Sequence, residues 1–73
     1  MTPTMIPTPE SSSVAEIGYD EVLEEVWVTF DSSGTTYIYS QVPAVVWQEF
    51  VAASSKGQFV SYRLKGAYDY RLA

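Results

Sequence analysis

The chain has no cysteine and no histidine. The first absence excludes disulfide staples and thiolate metal sites. The second removes the commonest general base and the commonest metal ligand. Basic residues are scarce and confined: residues 1–55 hold eight acids and no base, whereas residues 56–73 hold Lys56, Arg63, Lys65 and Arg71 against Asp69 alone. The net charge of −5 excludes bulk attraction to nucleic acid or to an anionic membrane. It leaves room only for a local basic patch, or for the basic end to neutralise the acidic body within the molecule. No run approaches the ~20 apolar residues of a membrane span. The N-terminus lacks the positive n-region of a signal peptide, so the chain reads as soluble and cytoplasmic. The glycines stand singly and form no phosphate-binding loop.

What the chain does have is aromatic. Two Trp, six Tyr and three Phe occur in 73 residues. Each large ring can bury roughly 150–250 Å². That is the compensation a single small domain needs where no crosslink helps it.

Residues 1–12 carry Pro3, Pro7 and Pro9 among Thr and Ser. This composition predicts a disordered leader before one domain at 13–73. Deletion of residues 2–10 is then expected to change stability by no more than about 0.5 kcal/mol. Ser13 to Asp20 suggests a short first strand that turns at Gly18. Glu25–Phe30 alternates Val26, Val28 and Phe30 with Trp27 and Thr29, the period of a strand. Asp31-Ser32-Ser33-Gly34 has hairpin-loop length, and Thr35–Ser40 supplies the return strand. Paired, the two strands put Val26, Val28, Phe30, Tyr37 and Tyr39 on one face and Trp27 and Ile38 on the other. Pro43 suits the first position of a helix over 44–54, with Trp47 and Phe50 on its apolar side against Phe30, Tyr37 and Tyr39. Gly57 suits the left-handed residue that follows a helix. Residues 58–64 fit a short helix or a strand equally well by pattern.

The chemistry-bearing groups have plain structural readings. Asp20, Glu21, Glu24 and Glu25 form an acidic edge beside a turn; catalysis or metal binding would need them buried or convergent. Lys56 stands where a cation caps a helix C-terminus. Tyr37 and Tyr39 suit either the core or base stacking. Trp27 and Ile38 form a contact patch if no helix covers their face. The final stretch interleaves Lys56, Arg63, Lys65 and Arg71 with Tyr62, Tyr68 and Tyr70, a mixture that fits phosphate and base contacts or an anionic protein.

The ordered series Ser13…Ile17-Gly18-Tyr19-Asp20, Val26-x-Val28-x-Phe30, Gly34-x-x-Tyr37-x-Tyr39-x-x-Val42-Pro43, Trp47-x-x-Phe50-x-x-Ala53 and Ser55-x-Gly57-x-Phe59 resembles the KTSC domain. That module is found at the C-terminus of some lysyl-tRNA synthetases and as small bacterial and phage proteins. Ser61 and Lys65 stand where the family pattern has Asn and Arg. The resemblance implies an α+β fold: a small three-stranded antiparallel sheet packed by one main α-helix, with a short second helix. It marks Tyr37, Tyr39 and Pro43 as family positions. It implies no enzyme activity, and its synthetase context suggests RNA as the ligand. With so few bases, such binding is expected to be weak and to run through Lys56, Arg63, Lys65, Tyr68, Tyr70 and Arg71, with no cofactor or metal. The alternative from charge alone is a small acidic protein-interaction factor.

Overall fold

The computed structural model describes residues 2–73. It holds five strands: β1 (Met5–Pro7), β2 (Val14–Asp20), β3 (Glu25–Phe30), β4 (Thr36–Tyr39) and β5 (Tyr70–Leu72). They pair antiparallel in sequence order, β1-β2-β3-β4-β5. Between β4 and β5 come α1 (Ala44–Ala52) and α2 (Lys56–Phe59), the latter running into a π-helical turn, Val60–Leu64. The architecture is α+β, but the three-stranded sheet is corrected to five strands. Both additions are edges, and each is three residues long.

The central hairpin follows the sequence pattern. Val26 lies opposite Tyr39 and Val28 opposite Tyr37. Gly34 adopts φ 66°, and its N–H donates to the Phe30 carbonyl at 2.9 Å, closing the turn. Strand β2 runs straight through Gly18, which faces Trp27, so the expected turn there is absent. The reason lies in the leader. Met5 crosses Gly18, and a Cβ on Gly18 would come within 2.6 Å of Met5 Sδ and 3.1 Å of the Thr4 carbonyl. The segment read as disordered therefore contains β1. Thr8, 3% exposed, anchors its end by donating from Oγ1 to the Val14 carbonyl at 2.7 Å.

The core lies between one sheet face and the helices. Val14, Ile17, Val26, Val28, Val42, Phe50 and Leu64 are fully buried. Phe50 stacks on Phe59 with centroids 4.9 Å apart and meets Trp47 edge-on at 6.0 Å. Trp47 turns away from the hairpin tyrosines and stacks on Tyr19 at 5.4 Å, while the Tyr19 hydroxyl donates to the Val42 carbonyl. The helix face was thus read correctly, but its aromatic partners are Tyr19 and Phe59.

Two local expectations are corrected. Pro43 is the N-cap residue of α1, one position earlier than expected, and its carbonyl accepts from Val46 and Trp47. Gly57 lies inside α2 because Ser55 starts a new helix there, its side chain accepting from the Gln58 N–H. A Cβ at Gly57 would collide with Ser13 Oγ, so close approach of Ser13, just before β2, accounts for the glycine.

A candidate binding groove lined by tyrosines

An open groove of about 730 Å³ lies where the core face of the sheet emerges beyond the helices. Phe30, Tyr37, Tyr39 and Tyr70 form its floor on three strands. Gln58, Val60, Ser61, Tyr62 and Lys65 form one wall along α2 and the π-turn. Ser12, Ser13, Ser32 and Ser33 close the end near the hairpin. The floor is an aromatic ladder set by register, since Tyr39 pairs with Tyr70 and Tyr37 with Leu72 across β4 and β5. Tyr37 stacks on Tyr70 at 5.2 Å, and Phe30 meets Tyr37 edge-on at 5.3 Å. The π-turn is marked by the Lys65 N–H donating to the Val60 carbonyl, five residues back. Such wide turns are frequent at functional sites. Here the turn buries Val60 and Leu64 while leaving Tyr62 and Lys65 exposed.

The basic residues do not converge on this groove. Lys56 is buried, and its ammonium donates to the Val51 and Ala53 carbonyls at 3.1 and 2.6 Å. It caps α1, so its assignment as a binding residue is corrected to that structural role. Arg63 points to the outside of the π-turn, pairs with Glu49 and lies over the Phe59 ring at 5.0 Å. Arg71 alternates with Tyr70 and Leu72, so it projects from the opposite face of the sheet, 2.9 Å from Glu25. Tyr68 is half-buried and packs against the core. Lys65 alone of the four cations lines the groove, and among the described residues it has no ion pair.

On the opposite sheet face, Trp27, Ile38 and Arg71 form one cross-strand row. Ile38 is 3% exposed because it is flanked by these two large side chains, so it offers no contact surface. Trp27 is half-buried, and its indole N–H has no acceptor among the described residues. Asp20 is occupied by its turn, its Oδ1 accepting from the N–H groups of Val22 and Leu23.

Burial raises the Tyr39 hydroxyl above the ordinary tyrosine value of 10.0, with Tyr37 and Tyr70 adding to the shift. Burial and the neighbouring Glu24, Glu21 and Asp20 raise Tyr19 as well. The folded state therefore favours the neutral phenols. Their contribution to stability is complete below the unfolded pKa of 10.0 and is lost as pH rises through the folded values. Chemical denaturation should give a constant midpoint from pH 7 to 9 and a falling one above about pH 10. A midpoint that is flat to pH 11.5 would contradict the burial of these hydroxyls.

A family model for the KTSC domain matches residues 10–68. A lysine–tRNA ligase from Trichormus variabilis is 37% identical over 62 residues. The match covers 85% of this chain but only 11% of the ligase. A small protein from Tsukamurella paurometabola is 38% identical over 52 residues, covering 71% of this chain and 76% of that one. The crystal structure of a KTSC domain protein from Yersinia pestis superposes with a TM-score of 0.90 at 33% identity and covers 99% of both chains.

Proposed function

Since the chain belongs to the KTSC domain family, we propose that it acts as a non-catalytic binding module whose tyrosine groove holds a polypeptide. The observation that carries this reading is the lining of the groove. It is built mainly from tyrosine and serine, with Phe30, Val60, Gly57 and Gln58, around a single cation, Lys65. Tyrosine supplies wide, rigid, amphipathic contact at low entropic cost, and serine supplies adaptable hydrogen bonds. Protein-binding loops use the same mixture. Among the described residues, no groove side chain is hydrogen-bonded to a proton-transfer or nucleophilic partner of the kind catalysis needs.

The kinship with lysine–tRNA ligases supports a second reading, single-stranded RNA stacked on Tyr37, Tyr62 and Tyr70. Its weakness is electrostatic. Phosphate neutralisation dominates nucleic-acid affinity, and one groove cation neutralises about one phosphate. Arg63 and Arg71 lie on other faces beside glutamates, under a net charge of −5.

Two measurements separate the readings. Selection from a displayed library of random linear peptides should yield binders that lose affinity for a Tyr62→Ala/Tyr70→Ala variant. Titration with a mixed-sequence single-stranded RNA at low salt should give little binding, unaffected by Arg63→Gln/Lys65→Gln. Saturable RNA binding that this double variant abolishes, falling with salt by a log–log slope of about −0.7 per phosphate, would establish the RNA reading instead.

A further inference from the structure

The two edges of the sheet are built differently. Along β1 the Thr8 N–H bonds to Ala15, so by alternation Met5 and Pro7 turn their backbone groups away from β2 toward the open edge. Pro7 has no N–H to offer there, and Pro3 has the same parity two residues before Met5. Proline at these positions closes an edge to further pairing without disturbing the ladder behind it. Along β5 the alternation runs the same way. Asp69 and Ala73 bond to Ser40 and Thr36, and Arg71 faces Ile38, so Tyr70 and Leu72 direct their N–H and C=O groups outward. Here no proline intervenes. Both side chains are 59% exposed, and they project on the groove side of the sheet.

We propose that β5 is a receiving edge, on which an extended peptide adds as a sixth strand, held by the outward backbone groups of Tyr70 and Leu72. This rests on the reading of the groove as a polypeptide site and specifies how the polypeptide is held. The peptide's chemistry follows from what it would meet. Alternate residues on the groove side face Tyr70 and Leu72 and are aromatic or aliphatic. A carboxylate in that same row complements Lys65, which has no ion pair among the described residues. Main-chain bonds supply affinity in such strand addition, and alternate side chains supply selectivity.

The test uses linear peptides selected from the random library and the Leu72→Pro variant of the whole chain. That substitution removes an outward N–H and leaves the bonds to β4 in place, so the thermal midpoint should hold. Peptide affinity should fall roughly tenfold or more. Amide exchange gives an independent reading that needs no variant. In the free protein the Tyr70 and Leu72 amides should exchange much faster than those of Arg71 and Ala73, and bound peptide should slow them. Peptides that bind Leu72→Pro equally well and leave both amides unprotected would overturn strand addition while the groove reading stands. A library that yields no groove-dependent binder would overturn both. Protection of the same two amides by self-association, with no peptide present, would overturn the peptide as occupant in favour of a second copy of the chain.

Discussion

Phe50→Ala should lower the thermal midpoint by at least about 12 °C, or leave the chain unfolded at room temperature. Phe50 is fully buried between Phe59 and Trp47. Removing a buried phenylalanine costs about 3–5 kcal/mol. At roughly 0.05–0.15 kcal/mol per residue, the total stability of a domain this size is only about 4–11 kcal/mol. Each kilocalorie moves the midpoint of such a small domain by about 4–8 °C. Val51→Ala on the same helix is the control: Val51 is 46% exposed, and its change should stay within about 0.5 kcal/mol. Calorimetry of the pair checks the helix face. A Phe50→Ala midpoint within a few degrees of the parent would show that α1 packs through another side.

Deleting residues 2–10 should destabilise the domain by about 2 kcal/mol or more, where an undocked leader would cost under about 0.5 kcal/mol. The deletion strips β1 from Ile17 and removes Met5 from above Gly18. It also removes the buried Thr8 hydroxyl that accounts for the Val14 carbonyl. Each hydrogen bond lost with the strand contributes about 0.5–1.5 kcal/mol. The strand also covers the edge of β2, so its loss exposes a seven-residue strand to pairing with other chains. Urea denaturation of the truncated chain would show the loss as a lower midpoint. An unchanged midpoint would mean that the leader does not dock.

The hairpin and α1 could be read in the sequence because they are long enough to display a period. Val26, Val28 and Phe30 declare a strand by alternation, and Trp47 and Phe50 declare a helix face by spacing. The two edge strands could not be read that way. Three residues hold too little alternation, and Pro7, which has no N–H, argues against a strand unless its nitrogen is known to face the open edge. The π-turn has no spacing of its own, so residues 58–64 fitted helix and strand equally. The groove was half-legible. Its tyrosines were visible, whereas the serines come from three separated loops that only the fold brings together. The basic cluster was misleading because linear neighbours were counted as spatial ones. Assigning Tyr70-Arg71-Leu72 to a strand would have placed Arg71 opposite the two side chains that flank it. The capping role of Lys56 was legible from its place at the end of a helix, and its ammonium does bond the carbonyls that end α1.

The most direct measurement is an amide chemical-shift map of the labelled chain titrated with a selected linear peptide, followed by the same titration with single-stranded RNA. The account predicts saturable peptide shifts at Tyr37, Tyr62, Lys65, Tyr70 and Leu72, with the acidic turn at Glu21 and Glu24 unmoved and RNA producing no saturable change. Peptide shifts centred on that turn, or saturable RNA shifts across the groove, would contradict it.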